Sequence, residues 1–131
     1  MENASNHFKW REFYCPTAKR LIVSDLTLHH IEKLEQLRVL WDAPIKINSG
    51  YRSPEHNKKV GGVEKSMHML FATDITPVTS GPHPDLRGAL QSLHGIAEEV
   101  GFGGIGQYNT FLHLDCRDFI GRSSARWDNR S

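Results

Sequence analysis

The sequence predicts an α+β domain in which two main helices pack against a small, mostly antiparallel sheet. Segments with helical spacing of apolar residues and segments typical of strands occur in the order helix, strand, loop, strand, helix, hairpin. The chain has 131 residues, enough for one domain with a core and a cleft. Because no repeat, low-complexity tract or long linker divides it, we expect a single domain over residues 1–131.

Two leucine-rich segments predict the main helices. The first follows Ser24, a good capping residue, and ends before Pro44. The second follows Asp85 and continues to about Val100, and Gly101 is well placed as its C-terminal stop.

Short segments typical of strands predict the sheet, and the first of them alternates apolar and polar residues. Residues 45–47 form the first, and residues 71–76 form the second, which ends at a proline. Residues 104–108 and 110–116 are predicted to form a hairpin with a turn at Asn109.

The remaining segments are predicted to be irregular. Residues 48–62 are rich in Gly, Pro, Ser and Asn, which predicts an extended loop with one helical turn after Pro54. Residues 79–85 predict a turn, and residues 121–131 a tail with one anchor, Trp127. Four aromatic residues are expected to anchor the N-terminal segment on the core: Phe8, Trp10, Phe13 and Tyr14.

The composition excludes several classes of protein. Sixteen Lys and Arg residues against fifteen Asp and Glu give a net charge of +1, which excludes a nucleic-acid binder that works by charge alone. No apolar run reaches the roughly 18 residues of a membrane span, so we expect no membrane partner. The N-terminal residues contain no signal-peptide core, so we expect synthesis in the cytoplasm or release by another route. Cys15 and Cys116 are expected to be free thiols.

Three features could carry chemistry in this chain, which has eight histidines. The first is His68 followed by Asp74, the second is the pair His113 and Asp115, and the third is Arg52 in a Gly- and Pro-rich loop. Neutral imidazoles and carboxylates are good zinc ligands, and three of them with one open position define a catalytic zinc site. On spacing alone, chance remains an alternative for the histidines, and a structural ion pair remains one for the arginine.

Three blocks of sequence resemble the zinc D-Ala-D-Ala carboxypeptidase family, whose members share a fold with the hedgehog signalling domain. The blocks are INSGYRSPEHNKKVGG, SMHMLFATDI and GIGQYNTFLHLDCRDFIGRSSARW, and they occur in the family order over residues 8–128. The resemblance implies a zinc metallopeptidase that hydrolyses peptidoglycan stem peptides by means of a zinc-activated water. It also implies a phage- or prophage-associated enzyme, or one otherwise released to the cell wall, and we expect a monomer.

The resemblance assigns roles to individual residues. His68, Asp74 and His113 would be the zinc ligands. Arg52 would contact a substrate carboxylate or the oxyanion, and Ser66 would be a hydrogen-bond donor at the edge of the cleft.

The chain departs from the family pattern between the first two ligands. Only five residues separate His68 from Asp74, where the family usually has six, and Phe71 stands near the place of a glycine. A deletion within a strand would turn the carboxylate to the opposite face. Because Ala72 keeps its offset from Asp74, we place the deletion in the loop and retain Asp74 as a ligand.

A second departure concerns the general base. Thr110 and Phe111 stand where many relatives carry an acid or a histidine, so Asp115 is the nearest carboxylate. Asp115 is interpreted either as the catalytic base or, preferably, as a residue that orients a zinc ligand. The main alternative function is a catalytically inactive cell-wall-binding module of the same fold. A metal-free interaction protein is the third.

Overall fold

The computed structural model describes residues 2–79 and 84–131 and confirms the α+β class. Its elements are the helices α1 (Asp25–Trp41), α2 (Pro54–Lys59) and α3 (Leu86–Val100), and the strands β1 (Ile45–Ser49), β2 (Ala72–Pro77), β3 (Gly104–Gln107), β4 (Leu112–Asp115) and β5 (Ala125–Asp128). Short 3₁₀ helices occur at Trp10–Phe13, Met67–Met69 and Arg117–Ile120. Within the described residues, no helix combines the length and the apolar character needed to cross a membrane.

The caps of the two main helices agree with the sequence. The Ser24 hydroxyl accepts a hydrogen bond from the backbone N–H of Thr27, and the Asp85 carboxylate accepts one from the N–H of Gly88. Gly101 ends α3 with φ of 92°, a left-handed conformation that glycine adopts without strain. The short helix expected after Pro54 is α2.

The five strands form one mixed sheet in the order β1-β2-β4-β3-β5. The pairs β1–β2, β2–β4 and β3–β4 are antiparallel and β5 pairs with β3 in parallel, so the sheet is mostly antiparallel, as predicted. Helix α3 packs against β2, β3 and β4, and α1 packs against α3. Both helices bury leucines there, and the sheet adds aromatic and aliphatic side chains to the same core: Leu34, Leu37, Leu93, Phe71, Ile75, Phe102 and Leu114.

Two expectations about the chain ends were wrong. The C-terminal segment is not a tail, because residues 125–128 form β5, whose backbone completes the edge of the sheet beside β3. Tyr14 does not anchor the N-terminal segment, since its side chain is 42% exposed, whereas Phe8 and Phe13 are buried. The turn expected over 79–85 falls largely on residues 80–83, which lie outside the described residues. Cys15 and Cys116 are free thiols, as expected, and both are buried.

Candidate metal centre

The structure brings together the three predicted ligands, His68, Asp74 and His113. One ligand atom from each lies within 4.8 Å of the other two, and all three residues are buried. His68 Nε2 and His113 Nδ1 both lie 3.2 Å from Asp74 Oδ1. The cluster therefore presents two imidazole nitrogens and one carboxylate oxygen to a common point.

The strand register accounts for this convergence. Asp74 of β2 and His113 of β4 are directly opposite each other in an antiparallel pair, so their side chains share one face of the sheet. His68 comes from the 3₁₀ helix before β2, where the Ser66 hydroxyl accepts a hydrogen bond from the His68 backbone N–H. The Asp74 side chain points to both histidines, which is the orientation expected when the segment between His68 and Asp74 is shortened before β2.

Hydrogen bonds behind the two histidines assign their tautomers. His68 Nδ1 lies 2.7 Å from the carbonyl oxygen of Gly50, and His113 Nε2 lies 2.7 Å from Asp115 Oδ2. Both partners are acceptors, so in the neutral rings these nitrogens carry the hydrogens, and His68 Nε2 and His113 Nδ1 remain available as ligand atoms beside Asp74.

Three lone pairs meeting at one point repel one another unless a cation lies between them. Two neutral imidazoles and a carboxylate are a donor set that zinc accepts, and all three residues line a cleft. The residues of the centre therefore fit a zinc ion.

The ionisation of the centre follows from the same contacts. Burial alone would raise the pKa of Asp74, but the contacts of its Oδ1 with His113 and His68 hold that pKa well below its usual range. Burial alone would lower the pKa of His113, but hydrogen bonds to Asp115 and Asp74 raise it above its ordinary value. Both shifts have one physical cause, because the carboxylates of the cluster favour a positive charge beside them.

Asp115 is completely buried behind His113. Besides His113, it binds Arg117, whose Nε and Nη2 lie 2.9 and 2.7 Å from its two oxygens. Burial would raise the pKa of Asp115, but the hydrogen bonds from Arg117 and His113 hold it well below its usual range. Because both oxygens are engaged and neither lines the cleft, this geometry favours the interpretation of Asp115 as a residue that orients His113.

Arg52 lies beside the centre and is held by a residue that the sequence analysis missed. Its Nη2 lies 3.7 Å from Asp74 Oδ2, and its Nη1 donates to Asn57 Oδ1 at 3.1 Å. Asn57 is buried and donates from Nδ2 to the carbonyl oxygen of Val63 at 2.8 Å. It thus links the Arg52 guanidinium to the loop over residues 61–65. No local sequence pattern predicts this contact.

The centre opens into a cleft of about 550 Å³. One wall is aromatic, formed by Tyr108, Phe111 and Trp127, and the loop over residues 61–65 borders the cleft elsewhere. The Trp127 indole donates from Nε1 to the Tyr108 hydroxyl at 2.9 Å, and its ring centroid lies 5.1 Å from that of His113. Gly106 makes room for this ring, since a Cβ there would lie 2.3 Å from indole atoms.

Positively charged side chains outnumber negatively charged ones in the described lining of the cleft. Among the described residues the lining includes four cationic side chains, Arg52, Lys65, Arg117 and Arg122, and one acidic side chain, Asp74. Phe111 stacks on Tyr108 with ring centroids 4.4 Å apart. The described lining therefore offers no carboxylate besides the one in the metal centre.

Comparison with known families agrees with this geometry. The family model described as Peptidase M15 matches residues 6–115, most of the chain, and the chain belongs to this family. The match includes His68, Asp74 and His113, and confirms the resemblance drawn from the sequence. No curated protein matches the chain.

Proposed function

We propose that the chain is a zinc-dependent peptidase that hydrolyses bonds in peptidoglycan stem peptides. The observation that carries the proposal is the convergence of lone pairs from His68, Asp74 and His113 at the base of a cleft, in a chain of a peptidase family. Action at the cell wall as a monomer, in a phage-associated setting or after another form of release, is part of the same proposal.

The protein's own residues prepare the centre for hydrolysis. His68, Asp74 and His113 would hold the zinc ion, and Asp115 would keep His113 in the tautomer that directs Nδ1 at the metal. When bound, zinc supplies the Lewis acidity that activates water and polarises a carbonyl group. Arg117 fixes Asp115 with two side-chain hydrogen bonds, so the support of His113 is rigid.

Two side chains beside the centre would bind the substrate. The Arg52 guanidinium is only partly buried and reaches the open side of Asp74, where it can bind a substrate carboxylate or the developing oxyanion. The Ser66 hydroxyl oxygen accepts from the His68 backbone, which leaves its hydrogen for a substrate acceptor. Asn57 would set the orientation of Arg52 through its hydrogen bond to Nη1.

One observation favours a second candidate function, a catalytically inactive cell-wall-binding module. A hydrolytic water needs a base within hydrogen-bond reach, and Asp74 is the only carboxylate in the described lining of the cleft. A protein without that base could retain the metal and the substrate-binding residues while failing to turn over.

Digestion of purified muropeptides separates the two functions. We expect the zinc-loaded protein to release peptide fragments visible by mass spectrometry, and we expect chelation of the metal or the substitution His113→Ala to abolish release. If the zinc-loaded protein sediments with peptidoglycan but cleaves no muropeptide, the binding module is the correct account. If it neither binds nor cleaves cell-wall material, both proposals are wrong.

A further inference from the structure

Two cationic side chains at the cleft lack a carboxylate partner. Arg117 is paired with Asp115, and Arg52 lies 3.7 Å from Asp74. By contrast, no carboxylate in residues 2–79 and 84–131 comes within 4.0 Å of the Lys65 ammonium or the Arg122 guanidinium. Both side chains line the cleft with their charge uncompensated by the protein.

Arg122 is placed beside the metal centre by defined contacts. It follows Gly121, whose φ of 83° ends the 3₁₀ helix, and its backbone N–H donates to the carbonyl oxygen of Arg117 at 3.0 Å. Its Nη1 lies 3.3 Å from the sulfur of Met67, the residue before His68. A thioether is a weak acceptor that leaves the charge of the guanidinium unneutralised.

Lys65 belongs to the loop over residues 61–65, which is tied down next to Arg52. Asn57 accepts from Arg52 and donates to the carbonyl oxygen of Val63, and the Gly62 N–H donates to the Asn57 carbonyl oxygen at 2.9 Å. The loop and the segment after Gly121 therefore each contribute a cation to one cleft from separate parts of the chain.

We propose that Arg122 and Lys65 form a second anion subsite, which binds a carboxylate of the substrate other than the group bound by Arg52. Arg122 follows the residues matched by the family model, so the subsite depends on this chain's C-terminal segment. That the ligand is a substrate rests on the proposed function. The subsite narrows that substrate to acidic peptides, with one carboxylate for Arg52 and a further one for Arg122 and Lys65.

Charge and shape of the cleft support a peptide carboxylate as the ligand. A zinc ion in the centre would more than cancel the single negative charge of Asp74, and the cleft would then attract anions. The guanidinium of Arg122 offers a planar pair of donors that matches a carboxylate. The aromatic wall of Tyr108, Phe111 and Trp127 supplies apolar surface for the rest of a peptide chain.

Equilibrium binding tests the subsite without requiring turnover. The probes are three acetylated tripeptides, Ac-Glu-Ala-Ala, Ac-Ala-Glu-Ala and Ac-Ala-Ala-Glu, each paired with its Gln counterpart, all with a free C-terminal carboxylate. Each is titrated into the zinc-loaded protein by calorimetry, and peptide integrity is checked by mass spectrometry. For at least one pair we expect the acidic peptide to bind about tenfold more tightly, as a charge-assisted hydrogen bond allows.

The variants identify the residues responsible. Arg122→Gln should reduce the preference for the Glu peptide over the Gln peptide to nearly onefold, while the Gln peptide binds as it does to the wild type. Lys65→Gln should reduce this preference in part. Arg87→Gln is the matched control, because Arg87 is exposed on α3 and does not line the cleft. Equal binding of acid and amide at all three positions, or an acidic preference that survives Arg122→Gln, overturns the subsite. Failure to cleave muropeptides while the preference is present overturns only the peptidase activity.

Discussion

The two faces of β2 hold histidines in opposite environments. On the face toward α1, His30 is completely buried, bonds from Nε2 to the Thr73 hydroxyl at 2.9 Å, and contacts the rings of Phe71 and Phe102. On the other face, next to Asp74, His113 bonds to two carboxylates. Thr73 and Asp74 are consecutive, so the pleat of one strand separates core from cleft.

The partners, rather than burial, decide the charge of each histidine. Burial lowers the pKa of His30 to about 3, since the only direct hydrogen-bond partner in the described residues is a neutral hydroxyl. Burial also opposes the charged form of His113, but hydrogen bonds to Asp115 and Asp74 raise its pKa. The comparison teaches that the core face stabilises the fold, while the cleft face is organised to hold a cation.

The largest expected effect is a loss of stability caused by a substitution on the core face. Phe102→Ala removes a ring that is 1% exposed, and we expect it to lower the free energy of unfolding by about 3–5 kcal/mol. Zinc affinity of the folded variant should remain close to wild type, because the ring of Phe102 packs against His30 on the core face. Urea denaturation measures the first quantity and chelator competition the second. Phe119→Ala, at a side chain 47% exposed, is the control and should cost much less.

On the cleft face, Arg52→Lys should reduce hydrolysis without unfolding the protein. Lysine cannot reproduce bidentate recognition of a carboxylate or an oxyanion, so peptide hydrolysis should fall about a hundredfold, or about 3 kcal/mol. Steady-state kinetics on a cleaved muropeptide measures the loss, and zinc content and melting temperature should stay near wild type. A variant that melts many degrees lower would instead identify Arg52 as a structural ion-pair partner of Asp74.

A smaller effect, on zinc affinity, is expected from substituting Asp115, which lies behind the ligand His113. Asp115→Asn should weaken zinc binding by about 10–100-fold, because the amide no longer fixes the His113 tautomer with a charged acceptor. Competition with a chromophoric chelator measures the affinity, and Asp118→Asn, at an exposed position in the following 3₁₀ helix, is the matched control. If Asp115→Asn and its control bind zinc equally, the support of His113 by Asp115 has no role in metal binding.

The smallest expected effect is a pH dependence of stability caused by His30 on the core face. The folded-state pKa of His30, about 3, lies below the ordinary value of 6.5, so the unfolded chain takes up a proton that the folded chain does not. The stability that neutral His30 contributes is therefore present above pH 6.5 and is lost as the pH falls toward 3. Between pH 6 and pH 5 we expect His30 to account for a loss of about 1 kcal/mol in the free energy of unfolding.

Urea denaturation of the chelator-treated protein at both pH values measures this loss. His30→Leu removes the titrating group, so its stability should fall by about 1 kcal/mol less than that of the wild type over the same interval. The difference between the two proteins cancels the contribution of the other titrating groups. An identical pH dependence in both would show that His30 is not held neutral by the core.

Local signals predicted most of the fold and failed where structure depends on distant contacts. Capping by Ser24 and Asp85 and the helical spacing of leucines marked α1 and α3, and alternation marked β1. The strand β5 was missed because it has four residues and exists through parallel pairing with β3. Its only signal was the alternation of Ala125 and Trp127 with charged residues.

The candidate site shows the same division. Resemblance to the family motifs, rather than spacing alone, identified His68, Asp74 and His113 as candidate ligands together with Arg52. The register of Asp74 opposite His113 was consistent with placing the deletion in the loop. Asn57 and Arg122 could not be found in this way. Asn57 acts through contacts to Arg52 and Val63, and Arg122 reaches the cleft only because the segment after Gly121 folds back on Met67.

Zinc stoichiometry tests most directly the claim that the cleft face of β2 is a metal centre. The protein is purified without added metal, supplied with zinc, passed through a desalting column and analysed by native mass spectrometry beside His113→Ala. We expect one zinc ion per chain in the wild type and almost none in the variant, since two protein ligands hold zinc poorly. A wild type that retains no zinc, or a variant that retains it fully, would contradict the assignment of His68, Asp74 and His113 as the ligands.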